Sequence, residues 1–343
     1  MIICFHHSDL DGMGVKLLTL LYAQERGIEC ETYKCDYTYV DDVLETVHKN
    51  HQYEDIDEII MADISPAGKG IECLNDWYEH KIPVRLRDHH KTAEHLNNYP
   101  WAMVMERFEG VERCGTWLLS HDTGFRDIVN REFVDVFVQA VDSWDTWKWK
   151  KTNDIAAKNL NGIFQILGEE DFTKYMLDVF GDIDLISNDL NITADMLFNP
   201  YGKALIEAHE RQVRKAANKC IKDMWVMDLK IPRKSNPYKT AIVFASQDLS
   251  DIGDIILTQF PEIDIVMLVS FPKTISYRTQ KRLDIPLGDI AKYMTGSGGG
   301  HPQAAGSTIS EKQFNKFFRK TMENLSCNTK GIEFINLKTF DKE

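Results

Sequence analysis

From residue 2 to about residue 108 the chain alternates short apolar strands with amphipathic helices, and this alternation constrains the fold more than any other feature. IICFH (2–6), IECETYK (28–34), DEIIMADIS (57–65) and IPVRLRDHH (82–90) read as strands. Between them, GMGVKLLTLLYAQERG (12–27), DDVLETVHKN (41–50) and GIECLNDWYEHK (70–81) carry apolar residues at helical spacing, the first closed by Gly27. Strand–helix repetition at this interval implies a parallel sheet with right-handed crossovers. WAMVMERF (101–108) is a further candidate strand, and helices follow to about residue 190.

At 343 residues the chain is long for one domain and comfortable for two. Residues 201–225, without Gly or Pro after Gly202, read as one long helix near the domain connection. A second α/β unit follows: strands at TAIVFAS (240–246), IDIVMLVSF (263–271) and TISYRT (274–279), with helices through 250–259 and 287–294. Then comes a glycine run and a final helix over roughly 311–325. The fold class expected is α/β: an N-terminal doubly wound, mostly parallel sheet over 1–195, a helical linker over 196–226, and a smaller C-terminal α/β domain over 227–343.

Composition excludes some functions. Net charge is −13, which argues against extended, non-specific grip on duplex nucleic acid. The charge is uneven: 16 basic against 13 acidic residues from 226 onward, 24 against 40 before it. No apolar run approaches the length of a membrane span, and the N-terminus does not read as a secretory signal. Seven cysteines stand scattered with no CxxC pair, which suits reduced thiols and a cytoplasmic location.

The polar residues that matter cluster where strands end. In an open parallel sheet, ligands bind beyond the carboxyl ends of the strands. His7-x-Asp9-x-Asp11-Gly12 follows the first strand, Asp63 closes MADIS, and Asp88-His89-His90 closes the fourth strand. Asp142 lies in QAVDSWDTW, where Asp145 offers a second carboxylate three residues on; the reading takes Asp142. Carboxylates and imidazoles without thiolates suit Mn²⁺, with Mg²⁺ as the alternative and Zn²⁺ or Fe²⁺ also compatible. Six or seven such ligands are too many for one ion and suit two ions sharing a carboxylate, the device that activates water for in-line attack at phosphorus. Any one of these clusters alone would read as helix capping; four in order at strand and helix ends do not. GSGGGHPQAAGS (296–307) could let a phosphate approach the backbone, with Arg278 of SYRT available for bidentate contact. The tryptophans of WDTWKW could stack on bases, although packing is the stronger reading.

These residues resemble the DHH phosphoesterase superfamily with its DHH-associated C-terminal domain. HSDLDG is similar to its first motif, Asp63 to the second, DHHKTA to the third and Asp142 to the fourth; SYRT and GGGHPQAAG look like the C-terminal domain's phosphate-binding elements. The form of the first motif looks closest to the oligoribonuclease B type of nanoRNase, more than to the RecJ exonucleases. The resemblance implies that His7 and Asp9 hold one metal, that Asp11, His89 and Asp142 hold a second, and that Asp63 bridges them. It implies that His90 faces the scissile phosphate, that Asp88 orients the histidines, and that Arg278, Gly299, Gly300 and His301 bind a substrate phosphate. The function expected is Mn²⁺-dependent hydrolysis of short single-stranded RNA to mononucleotides, from the 3′ end, with two Mn²⁺ as cofactors and no membrane partner. Alternatives are a RecJ-like exonuclease acting on single-stranded DNA oligonucleotides, a cyclic dinucleotide or phosphoadenosine phosphate hydrolase, and an inactive scaffold. A homodimer is left open.

Overall fold

The computed structural model describes residues 1–129, 131–186, 192–230, 237–270, 274–280, 285–296, 298–301, 304–310 and 312. It divides into two units, Met1–His209 and Glu210–Glu343.

In the first unit, β1 (Ile2–His7), α1 (Leu10–Arg26), β2 (Cys30–Cys35), α2 (Val40–Asn50), β3 (Glu58–Ala62), α3 (Gly68–Glu79), β4 (Val84–Asp88) and β5 (Ala102–Val104) alternate as expected. The strands form one sheet in the order β2-β1-β3-β4-β5, every pair parallel. Period-2 alternation sorts the side chains onto two faces. Ile2 and Cys4 of β1 and Ile60 and Ala62 of β3 face one core. Ile3 and Phe5, with Ile59 and Met61, face the other.

Helix α1 covers the first face and ends at Gly27 in the left-handed region. Helices α2 and α3 cover the second. The sheet is therefore doubly wound. Its strand order reverses at β1 and β3, and there the connections leave for opposite faces and open a crevice at the carboxyl ends.

The stretch 101–108 is not one strand. After β5 the chain breaks into a small hairpin, β6 (Arg107–Phe108) with β7 (Val111–Glu112). Helices α4 (Gly115–Ser120), α5 (Phe125–Val129), α6 (Glu132–Asp145), α7 (Lys148–Thr152) and α8 (Ile155–Ile186) follow. Side chains of α4, α6 and α8 complete the first core, with Phe137, Phe172 and Leu119 fully buried. Each such side chain contributes about 1.5–3 kcal/mol by its burial.

Helix α9 (Pro200–Lys222) ends three residues before the expected 225, because Trp225 opens a strand. The second unit's sheet contains β8 (Trp225–Leu229), β9 (Tyr238–Phe244), β10 (Ile265–Ser270), β11 (Thr274–Thr279), β12 (Gly298–His301) and β13 (Ala304–Thr308), in the order β12-β13-β11-β10-β9-β8. Among the described residues only β9 and β10 pair in parallel in this sheet. Helix α10 (Leu249–Gln259) packs on one face and α11 (Leu287–Thr295) on the other.

The glycine run is not a loop. It is the edge strand β12, in register with β13, and a Cβ at Gly298 would stand 2.8 Å from the Gly306 carbonyl oxygen. Glycine here allows a close strand pairing at the sheet edge. The helix expected over 311–325 lies outside the described residues, Lys312 apart.

Candidate metal centre

The β1–α1 turn carries the first donors. His7 is the last residue of β1, and Asp9 caps α1, its Oδ1 accepting the Gly12 N–H at 3.0 Å. The other oxygen, Oδ2, lies 2.9 Å from His7 Nδ1. A Cβ at residue 12 would stand 2.1 Å from the His7 carbonyl oxygen, so only glycine lets the helix start directly over the strand end. Asp11, in the first turn, is buried, and its carboxylate accepts N–H bonds from Gly115 (2.6 Å) and Thr116 (2.8 Å) at the start of α4.

Asp63 follows β3 with φ of +62°, a conformation that a non-glycine residue adopts at a cost and that concentrates at functional sites. Its N–H still pairs with the Arg87 carbonyl at 3.0 Å, which anchors the strained residue to the end of the sheet. Its two oxygens face two donor groups. Oδ2 lies 3.7 Å from His7 Nδ1, and Oδ1 lies 3.2 Å from His89 Nε2.

Asp88, buried at the end of β4, organises the histidines. Its Oδ1 accepts the backbone N–H groups of His89 (2.7 Å) and His90 (3.1 Å) and lies 2.7 Å from His90 Nδ1, while Oδ2 accepts the Ser65 hydroxyl.

The structure does not bring Asp142 into this group. Asp142 is buried in α6 and its oxygens are taken by the Arg113 guanidinium (2.9 Å), the Lys148 ammonium (2.6 Å) and the Cys114 N–H (3.0 Å). Asp145, one turn on, stands 3.6 Å from His89 Nε2. Of the two carboxylates offered by SWDTW, Asp142 is occupied by Arg113 and Lys148, and Asp145 is the one that faces the histidine.

Three sets of donors result: His7, Asp9 and Asp63; Asp11, His89 and Asp145; and Asp63, His89 and His90. Within each set one donor atom per residue lies within 4.8 Å of the others. Ligand atoms about 2.1 Å from an ion stand roughly 3–4 Å apart, so the spacings suit divalent cations.

The electrostatics agree. Burial, then the neighbouring Asp11, Asp9 and Asp145, push the Asp63 carboxyl well above its ordinary value. Burial, then Asp11, Asp9 and Asp142, do the same to Asp145. Burial works against Asp9 too, but its bonds to His7 and Gly12 prevail and hold it at about 2. Burial lowers His89, which keeps its ring neutral and able to donate a lone pair. For His90 burial is outweighed by Asp88, and its value rises. Asp63 Oδ2 is buried with no hydrogen-bond partner. Crowded carboxylates with an orphaned oxygen are what a cation would relieve, and the donor chemistry fits one.

Sequence reading missed Tyr37, whose hydroxyl lies 3.1 Å from His90 Nδ1. The one available signal was its place just beyond the end of β2. Trp144 and Trp149 stack on each other, centroids 5.0 Å apart, and Trp144 packs against the first core. In the second unit, Arg278 donates to Ser250 Oγ (2.7 Å) and to the Tyr277 carbonyl (2.9 Å). Gly299 and Gly300 lie in β12 with His301, whose side chain is outside what is described.

No family model matches the chain. Over 320 residues it is 25% identical to oligoribonuclease NrnB of Bacillus subtilis (strain 168), a span covering 91% of this chain and 74% of that protein. Similar solved structures include RecJ from Thermus thermophilus in complex with Mn²⁺ (13% identity, 96% of this chain, 52% of that one, TM-score 0.48). CDC45 from Entamoeba histolytica (9%, 94% and 95%, 0.45) and an uncharacterized protein from Helicobacter pylori G27 (15%, 96% and 99%, 0.41) are others. Among the described residues no helix is long and apolar enough to cross a membrane.

Proposed function

We infer a metal-dependent phosphodiester hydrolase acting on short oligonucleotides, a reading supported by the DHH-like motifs of the sequence and by the similarity to oligoribonuclease NrnB. One observation carries the reading. Asp63, strained and buried at the point where the sheet's strand order reverses, turns one oxygen to the His7 side and the other to the His89 side.

In this reading His7, Asp9 and Asp63 hold one cation, and Asp11, His89, Asp145 and Asp63 hold a second. Mn²⁺ suits the imidazole content. When bound, such ions supply Lewis acidity toward a phosphoryl oxygen and lower the pKa of a water. The chain's own residues do the rest. Asp88 holds His90 through both its backbone and its ring, so the imidazole is fixed in orientation and tautomer. Asp11 is itself held by α4 backbone N–H groups, which fixes its donor atom without mobile side chains. His90 faces the reacting phosphate; within the second unit, Arg278 and the β12 residues Gly299, Gly300 and His301 are candidates for binding a phosphate. The net negative charge of the chain disfavours long duplexes and is consistent with a substrate of a few nucleotides. The similarity to an oligoribonuclease favours RNA.

The test is release of mononucleotide from 3′- and 5′-labelled RNA and DNA oligomers, two to about twenty long, with Mn²⁺, Mg²⁺ or EDTA. Short RNA is expected to be consumed from the 3′ end with Mn²⁺, and Asp63→Ala to abolish turnover. A wild-type protein that leaves every oligomer intact with either metal overturns the reading.

A further inference from the structure

Tyr37 lies beside the two histidines His7 and His90 at the rim of the donor cluster. Strand β2 runs parallel to β1 with Cys35 opposite His7, so the loop leaving β2 begins beside the first metal donor. Asp36 shapes that loop: its carboxylate accepts the Thr38 N–H and hydroxyl, each at 3.0 Å, and its carbonyl accepts the N–H groups of Tyr39 and Val40. The phenol ring is thereby carried over the donor cluster, with its centroid 5.5 Å from the His7 ring and 5.8 Å from the His90 ring, edge-on to the latter. Yet Tyr37 is 50% exposed. One side of the residue touches the histidines and the other is open to solvent.

A count of protons shows what the hydroxyl has to spare. His90 Nδ1 carries at most one proton. Its near acceptor is Asp88 Oδ1 at 2.7 Å, and an ionised carboxylate can only accept. The Nδ1–H is therefore directed at Asp88. The Tyr37 oxygen, 3.1 Å from the same nitrogen, can take only a minor share of that proton as an acceptor. Its own O–H is not spent on His90. Among the described residues the hydroxyl has no other hydrogen-bond partner. The pairing instead anchors the phenol oxygen while its proton stays free to point into the space that His90 borders.

We propose that the Tyr37 hydroxyl donates a hydrogen bond to a phosphoryl oxygen of the substrate held at this centre, and so stabilises the charge that builds there during attack. A neutral donor fixed in place before the reaction is worth most where charge develops. The proposal rests on the phosphodiesterase reading.

The variant Tyr37→Phe keeps the ring and its packing against His7 and His90 and removes only the donor. With Mn²⁺-loaded protein and an RNA dinucleotide, kcat/KM is expected to fall about 10²-fold, with most of the loss in kcat. Mn²⁺ affinity by calorimetry and the melting temperature are expected to stay at wild-type values. Unchanged kcat overturns the proposal. So does a loss of kcat that comes with an equal loss of Mn²⁺ affinity, which would mean a support for the metal donors only. Inorganic phosphate, titrated calorimetrically into the Mn²⁺-loaded protein, separates this idea from the wider one. If wild type cleaves no oligonucleotide, the hydrolase reading falls, while a phosphate affinity at least about fivefold weaker in Tyr37→Phe still supports the donor. Equal affinities for phosphate overturn it.

Discussion

Gly115 lies directly against the backbone of Asp63: a Cβ at 115 would stand 2.8 Å from both the nitrogen and the Cα of residue 63. This approach sets the first turn of α4 beside the end of β3, where the Gly115 N–H reaches Asp11 Oδ2 at 2.6 Å. One glycine thus couples the strained Asp63 to the placement of Asp11.

Gly115→Ala is expected to push α4 off the strand end. Crowding of this kind costs about 1–3 kcal/mol, and a shift of even an ångström should weaken Mn²⁺ binding by about tenfold or more. Calorimetric Mn²⁺ titration and a thermal melt check this. An alanine variant with unchanged melting temperature and metal affinity would show that the contact is looser than described.

Asp145 and Asp142 are expected to separate cleanly as asparagines. Asp145→Asn removes a donor beside His89, so turnover should fall at least about 10²-fold with weaker Mn²⁺ binding. Metal-free, the same variant is expected to melt higher than wild type at pH 7.5. The sign follows from the raised carboxyl of Asp145. A group whose folded value lies above its unfolded one stabilises fully below the unfolded value, near 4, and loses that contribution as pH rises through the folded value. The advantage of Asp145→Asn in EDTA should therefore shrink as the pH is lowered. Asp142→Asn acts differently, since it strands Arg113 and Lys148. It should cost about 2–4 kcal/mol of stability while the folded fraction keeps activity within about tenfold. Reversed phenotypes would restore Asp142 as the ligand.

His6 makes an acid-side prediction. Its ring is wholly buried on the face opposite His7, with Nδ1 2.9 Å from the His7 carbonyl oxygen and Nε2 3.6 Å from Glu169. Burial pushes its pKa down to about 4, against the pull of the His7 carbonyl and Glu169. The unfolded ring protonates near 6.5, so its contribution is intact above that pH and is lost as pH falls toward 4, by on the order of 3 kcal/mol. His6→Gln cannot titrate. The stability difference between wild type and His6→Gln, measured by urea melts in EDTA, should shift against wild type between pH 6.5 and 4.5. A difference that stays constant across that range contradicts the assignment.

What local sequence could settle was settled by periodicity and by the chemistry of short motifs. Continuous apolar runs such as IICF and EIIMA, separated by helical stretches, have few folds open to them other than a parallel sheet covered on both faces. Polar residues immediately after such runs fall at strand ends, so His7, Asp9, Asp11, Asp63, His89 and His90 are legible as one group in the sequence. Tertiary structure decided the rest, because each remaining question turned on partners far away in the chain. Asp142 and Asp145 share one helix and one local context. Arg113, reaching Asp142 from 29 residues earlier, helps to spend the first carboxylate and leave the second for the histidine. Tyr37 became part of the site only when β2 paired beside β1, and the glycine run became a strand only when β13 offered it an edge. Spacing along a chain specifies which face a residue occupies, but competition among buried charges and the register of neighbouring strands are settled only when the chain has closed on itself.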